Sequence, residues 1–273
     1  MKYHQILSIL REQPLLITPE AHASLLALFD EHRTLSAAEF NAKREGTGAC
    51  GETIELEQML IEDGIAQTPI GGPIGRGLGS FEKGAGAVDV ADIEDDLNVA
   101  EEDEECRVIL LNFDSPGGMV SGTPELADRI AAVQKPIYSF TPGLMCSAAY
   151  WLAAASDGIF ATKSANIGSI GVYMPFADYT EMAKQKGIKI RVFSSGKYKG
   201  MGVPGTSLTK DQETLLQEEV MKIAGMFYEH VQANRPDVPD DAMQGQAFMG
   251  AEALEMGLID NLVRDRSEML GLI

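Results

Sequence analysis

Arg107-Val108-Ile109-Leu110-Leu111-Asn112-Phe113-Asp114-Ser115-Pro116-Gly117-Gly118 is the stretch on which the reading of the fold turns. A short run of almost wholly apolar residues, closed by Pro-Gly-Gly, reads as a strand buried on both faces and ended by a tight turn. Outward from it the pattern alternates. Residues 124–133 have helical spacing, 136–140 read as a strand, and 147–155 as a helix. Residues 158–162 and 169–174 read as strands, 178–185 as a helix, 188–193 as a strand and 210–233 as a long helix; 250–256 forms a further helix. Upstream, 64–70 reads as a strand, 71–79 as a flexible glycine-rich loop or flap, and Val90, Ile93 and Leu97 mark a helix. Strands alternating with helices predict an α/β fold, a mostly parallel sheet with helices outside it.

Residues 1–58 are set apart as a helical N-terminal appendage or assembly arm, with 59–273 as the main unit. Thr18-Pro19-Glu20 is a helix start, a capping residue followed by proline at the first helical position. Apolar spacings of three and four in this segment support helix throughout.

Composition narrows the function. The 273 residues carry a formal net charge of -19, which argues against a nucleic-acid-binding surface, since that needs a basic patch. Ten carboxylates and no base lie between Asp89 and Glu105, which predicts a solvated surface. The start is too short an apolar run for a signal peptide, and no stretch approaches the roughly 18 apolar residues of a membrane span. A soluble protein that stays in the cytoplasm where it is made is expected. Three cysteines, scattered and odd in number, predict no disulfide framework and no zinc site.

The chemistry concentrates in Gly143-Leu144-Met145-Cys146-Ser147-Ala148-Ala149-Tyr150-Trp151. A tight turn leads into a helix that is small and apolar on almost every side, hence buried. Ser147 sits at its opening turn, where backbone N–H groups lack intrahelical partners and the helix dipole is positive. A serine there either caps the helix or attacks a carbonyl while free N–H groups hold the oxyanion. Gly117 or Gly118, at the carboxyl end of the 107–113 strand, supplies one such N–H, and Ala148 the other. Cys146 is a rival nucleophile, although a lone buried cysteine is more often inert.

A serine nucleophile needs a base. His4, His22 and His32 lie in the N-terminal segment and His230 near the end of the long helix; none lies between residues 33 and 229. A lysine can take the role where burial favours its neutral form. Lys197 and Lys199, in Ser194-Ser195-Gly196-Lys197-Tyr198-Lys199, are both placed to do so by spacing. Ser169, in Asn166-Ile167-Gly168-Ser169-Ile170-Gly171-Val172, is a candidate to hold that lysine, and the backbone around Gly171 and Val172 to pair with an extended peptide.

Together, Asp-Ser-Pro-Gly-Gly-Met-Val-Ser-Gly at 114–122, Cys-Ser-Ala-Ala-Tyr-Trp-Leu-Ala at 146–153, Ile-Gly-Ser-Ile-Gly-Val at 167–172 and Ser-Gly-Lys-Tyr-Lys at 195–199 resemble the signal peptide peptidase A family of serine peptidases. The capsid-assembly proteases of lambda-like phages are the branch that fits best. The resemblance implies a Clp-protease/crotonase-like spiral and a Ser–Lys dyad of Ser147 and Lys199, with Ser169 positioning the lysine. It implies an oxyanion hole built from Gly117, Gly118 and Ala148, no metal or cofactor, and a homo-oligomer. The expected substrates are protein chains, namely capsid, portal or scaffold proteins in the prohead. The missing membrane anchor favours the phage branch, and the early end of the chain argues against a self-scaffolding segment. The alternatives are a cellular signal-peptide or peptide-clearing enzyme and a catalytically silent prohead assembly protein. A crotonase-type acyl-CoA enzyme would share the fold without any residue here asking for CoA.

Overall fold

A computed structural model describes residues 10–11, 13–34 and 58–273. Strand β1 (Leu15–Ile17) and helix α1 (Pro19–Thr34) come first. After them the chain repeats one unit: a strand of a large sheet, a bend, a short strand of a second layer, then helix. The first unit is β2 (Leu60–Glu62) turning into β3 (Ile65–Gly71), then β4 (Ile74–Gly75), α2 (Ser80–Gly84), β5 (Val88–Asp89) and α3 (Val90–Glu102). The second is β6 (Val108–Asp114), β7 (Gly117–Met119) and α4 (Thr123–Ala131). The third is β8 (Ile137–Thr141), β9 (Leu144–Cys146) and α5 (Ala148–Ala154). A fourth begins with β10 (Gly158–Ala161) and β11 (Asn166–Gly168). The chain then runs through α6 (Thr180–Gln185), α7 (Lys210–Asn234), β12 (Ala247–Met249), α8 (Gly250–Glu255), β13 (Asn261–Leu262) and α9 (Arg266–Leu270).

The large sheet has the order β13-β10-β8-β6-β3-β2, parallel throughout except for the edge strand β2. Its strands alternate as a sheet buried on both faces must. Ile109, Leu111 and Phe113 join the main core, while Leu110, Phe140 and Phe160 face a second cluster closed by Val263 and Met269. The second layer holds two smaller sheets, β1-β7-β4-β5 and β12-β11-β9. Ser115 joins them, since its N–H donates to Leu144 O at 2.8 Å and its carbonyl accepts from Cys146 N–H at 3.1 Å.

Helix α5 sits at the centre. All seven of its residues are buried, four of them alanines that let the neighbouring elements approach closely. Trp151 stacks on Phe227 of α7 at 4.5 Å between ring centroids, 13° from parallel. Ala224, Phe227 and Val231 are the buried stripe of that long helix, which opens on a capping box of Thr209 and Gln212.

Four expectations are corrected. Residues 15–17 form a strand instead of a helix, with Pro14 and Pro19 bracketing a fully buried Leu-Leu-Ile. That strand pairs with β7, antiparallel. The glycine-rich loop contains β4, anchored by buried Ile74. The strand expected at 169–174 ends its ladder at Gly168, because Ser169 turns to φ 52°; pairing resumes only at Tyr173. Residues 188–193 alternate like a strand but are exposed coil, since among the described residues no strand lies beside them.

Two stability effects are expected. Phe227→Ala should lower the unfolding free energy by about 3–5 kcal/mol in urea titrations, by emptying the face on which Trp151 stacks. The Asp96 carboxyl on α3 is pushed up to about 6, first by burial and then by the Asp92 carboxylate. The folded chain therefore holds that proton more tightly than the unfolded chain, and stability falls as pH rises from 3.8 to about 6. Asp96→Asn should raise the melting temperature at pH about 7.5 and leave it unchanged at pH about 3.

Candidate active site

Ser147 is the residue between β9 and α5. Its backbone is at φ 56°, ψ -115°, a conformation rare for a residue with a side chain, and its hydroxyl makes no capping hydrogen bond. The capping role therefore does not account for this serine. Its N–H donates to Gly168 O at 2.7 Å, and its carbonyl accepts the first intrahelical bond, from Trp151 N–H at 2.9 Å. The N–H groups of Ala148, Ala149 and Tyr150 precede that bond and point out of the helix start. Ser147 is buried, with only 1% of its surface exposed.

The Pro-Gly-Gly turn meets it directly. A Cβ on Gly117 would fall 2.9 Å from Ser147 Cβ, 2.9 Å from Cys146 O and 2.1 Å from Leu16 O. One on Gly118 would fall 1.8 Å from Ile74 O. With φ 99°, Gly117 also takes a conformation that favours glycine. The two glycines of the expected oxyanion hole thus stand beside the serine, with Ala148 as the next residue along. In this arrangement Gly117 N–H donates to Ser115 Oγ at 3.2 Å, and Ser115 Oγ–H donates to Gly72 O at 2.6 Å. Ser115 is a site residue the sequence did not single out; its position immediately before Pro-Gly-Gly was the available signal.

Ser169 also lies here. Gly168 pairs in parallel with Cys146, which sets Ser169 level with Ser147 one residue further on. It too is buried and has a positive φ, 52°. Gly171 and Val172 follow, half-buried, and lead to Tyr173, which pairs with Leu15 of β1.

The lysines are elsewhere. Both lie on the exposed coil before α7. Lys197 is tied to Asp211 and lies 5.3 Å from the centre of the Tyr198 ring. Lys199 makes no ion pair among the described residues and no hydrogen bond to Ser147 or Ser169. The single chain brings together Ser147, Ala148, Ser169, Gly117 and Gly118, and leaves Lys199 outside. Burial raises the Cys146 thiol to about 11, so it is protonated and a poor rival nucleophile. His230 packs against the Trp151 ring, its pKa lowered by burial; among the described residues it does not bond to Ser147. A separate cavity of about 1130 Å³, lined in part by Asp92, Asp96, Asp114 and Arg264, does not include Ser147.

No described helix is long and apolar enough to cross a membrane. Two family models match the chain: Clp protease over residues 87–168 and peptidase family S49 over residues 129–268. The fold is Clp-protease-like, mixed α/β with mostly parallel sheets. The chain is 32% identical over 213 residues to capsid assembly protease C of Escherichia phage lambda, a match covering 77% of this chain and 48% of that protein. It is 30% identical over 267 residues to head-tail preconnector protein GP5 of Enterobacteria phage P21, covering 92% and 53%. Protease 4 of Haemophilus influenzae is 25% identical over 213 residues, covering 76% and 34%. The chain thus spans about half the length of the two phage relatives. With the S49 model matching just over half of its residues, Ser147 and Ser169 among them, the chain belongs to peptidase family S49.

Proposed function

We propose that this chain is a serine endopeptidase with Ser147 as nucleophile and Lys199 as base, acting on capsid, portal or scaffold proteins during phage head maturation. The observation that carries the reading is the buried, strained, uncapped Ser147 beside two glycines that allow backbone contact. The names of the phage relatives support the biological setting.

In the proposed reaction Ser147 Oγ attacks the scissile carbonyl. The Ala148 N–H and the Gly117 N–H hold the oxyanion, the latter after leaving Ser115 Oγ. Neutral Lys199 takes the hydroxyl proton and returns it to the leaving amine. The Ser169 hydroxyl positions the lysine amine. Of the two lysines, Lys197 is engaged by Asp211, which favours Lys199.

Lys199 must first be brought to a serine. The coil that carries it exposes Ile188, Ile190, Val192 and Phe193, the last 92% exposed. So much apolar surface on one arm is a docking element in search of a partner. In the proposed assembly this arm packs on a neighbouring copy and delivers Lys199 to that copy's Ser147. The chain then acts as a homo-oligomer, and assembly switches on the chemistry.

Ser147→Ala and Lys199→Ala should each abolish cleavage of co-expressed capsid proteins, read as new termini by mass spectrometry, with circular dichroism unchanged. Cleavage by Ser147→Ala at the wild-type rate would sink the mechanism. Mixing the two inactive variants should restore part of the activity, because one contributes the serine and the other the lysine. A mixture as inactive as its components counts against delivery between copies. A fluorophosphonate that leaves Ser147 unlabelled in the assembled protein would favour the silent assembly protein instead.

A further inference from the structure

Strand β1 lies beside Ser147, paired along both of its edges. On one side Leu16 stands opposite Gly118 and Ile17 opposite Gly117, antiparallel. On the other, Leu15 exchanges both backbone hydrogen bonds with Tyr173, at 2.9 and 3.3 Å, also antiparallel. Thr18 N–H donates to Pro116 O at 3.0 Å, on the glycine turn itself. The strand thus bridges the two backbone segments that flank Ser147. The Leu16 carbonyl oxygen and Ser147 Cβ both fall within 3 Å of the point a Cβ on Gly117 would occupy. The carbonyl beside the nucleophile is the chain's own.

The side chains fill the cleft as a substrate's would. Leu16 is fully buried in the main core, while Leu15 and Ile17 turn to the opposite face, toward α1. There the seam is loose: a cavity of about 50 Å³ remains between Leu15, Ile17, Leu25 and Phe29. Pro14 and Pro19 limit the strand to a few pairing residues, so the ladder holding it is short. A latch outside the cleft adds to it. The buried His22 ring on α1 bonds to Tyr173 Oη through Nδ1 at 2.9 Å and to Leu10 O through Nε2 at 2.6 Å.

We infer that Leu15-Leu16-Ile17 is a tethered occupant of the substrate cleft. It holds the site closed until displaced, and marks the preferred ligand as an extended peptide with a large aliphatic residue at the Leu16 position. This rests on the peptidase reading for its meaning but not for its test. A strand carried on the same chain as its groove competes as an intramolecular ligand, at an effective concentration that reaches about millimolar for short links, so only a peptide that pairs as well can replace it.

The test measures binding first. In chains carrying Ser147→Ala, a fluorescein-labelled peptide of residues 13–18 is titrated by fluorescence anisotropy. Leu16→Asp, which puts a carboxylate into the apolar slot, should expel the strand and tighten peptide binding by about tenfold or more, since a competent cleft is then no longer a minor population. His22→Ala, outside the cleft and in a helix that tolerates alanine, should do the same more weakly and serves if Leu16→Asp does not fold. The same peptide with aspartate in place of its central leucine should not bind. Equal affinity with and without the strand substitutions, or binding that ignores the aspartate, overturns the inference. Fluorophosphonate labelling of Ser147 in the same two backgrounds, with the serine intact, should accelerate in parallel. Tighter peptide binding without any labelling would leave the occupied cleft standing and remove the peptidase reading.

Discussion

Everything at the site depends on backbones coming closer than any side chain would permit. Leu16 O, Cys146 O and Ser147 Cβ all converge within 3 Å of where Gly117 would carry a Cβ, and Ile74 O comes nearer still to that of Gly118. Two hydrogens in place of two methyl groups let β1, β4, β7 and the serine turn share one small volume. Overpacking in a well-packed region generally costs about 1–3 kcal/mol. Here all of these neighbours except Ser147 Cβ are backbone atoms, and none of them can swing aside, so the arrangement exists only with glycine at both positions.

The second constraint is strain that the surroundings hold in place. Ser147 and Ser169 are both buried with positive φ. Such residues cost on the order of 1–3 kcal/mol each and survive only where neighbouring structure leaves no alternative. The β9–β11 ladder supplies that structure, with Gly168 O accepting from Ser147 N–H. Helix α5, packed on every side and pinned by Trp151 on Phe227, cannot rotate to relieve it. The proposed nucleophile, on so rigid a mount, needs little reorganisation before it reacts.

The proposed base has the opposite setting. Ser147 belongs to a core that one chain completes, whereas Lys199 rides on an arm whose apolar residues the chain leaves uncovered. Strand β1, drawn from the N-terminal segment, lies beside the serine. In the proposed reaction the two halves of the chemistry therefore differ in what they require: the first needs folding alone, and the second a partner surface and a vacated groove.

Local pattern determined much of this protein. The apolar run at 107–113, the alternation of strands and helices after it, the all-buried helix at 147–155 and the glycine pair were legible because each is set by its own residues and their spacing. The missing histidine and the motifs around Ser147 pointed to the chemistry for the same reason. Tertiary structure alone decided where pairing partners come from. Leu15-Leu16-Ile17 is apolar enough for helix or strand, and became a strand because β7 and Tyr173 offered it two edges. Residues 188–193 alternate as a strand should and remain coil, because among the described residues no strand lies beside them. A glycine pair announces close approach without naming what approaches, and a strand pattern announces a buried face without naming its neighbour. Those identities belong to contacts between residues far apart in the chain, which no local spacing encodes.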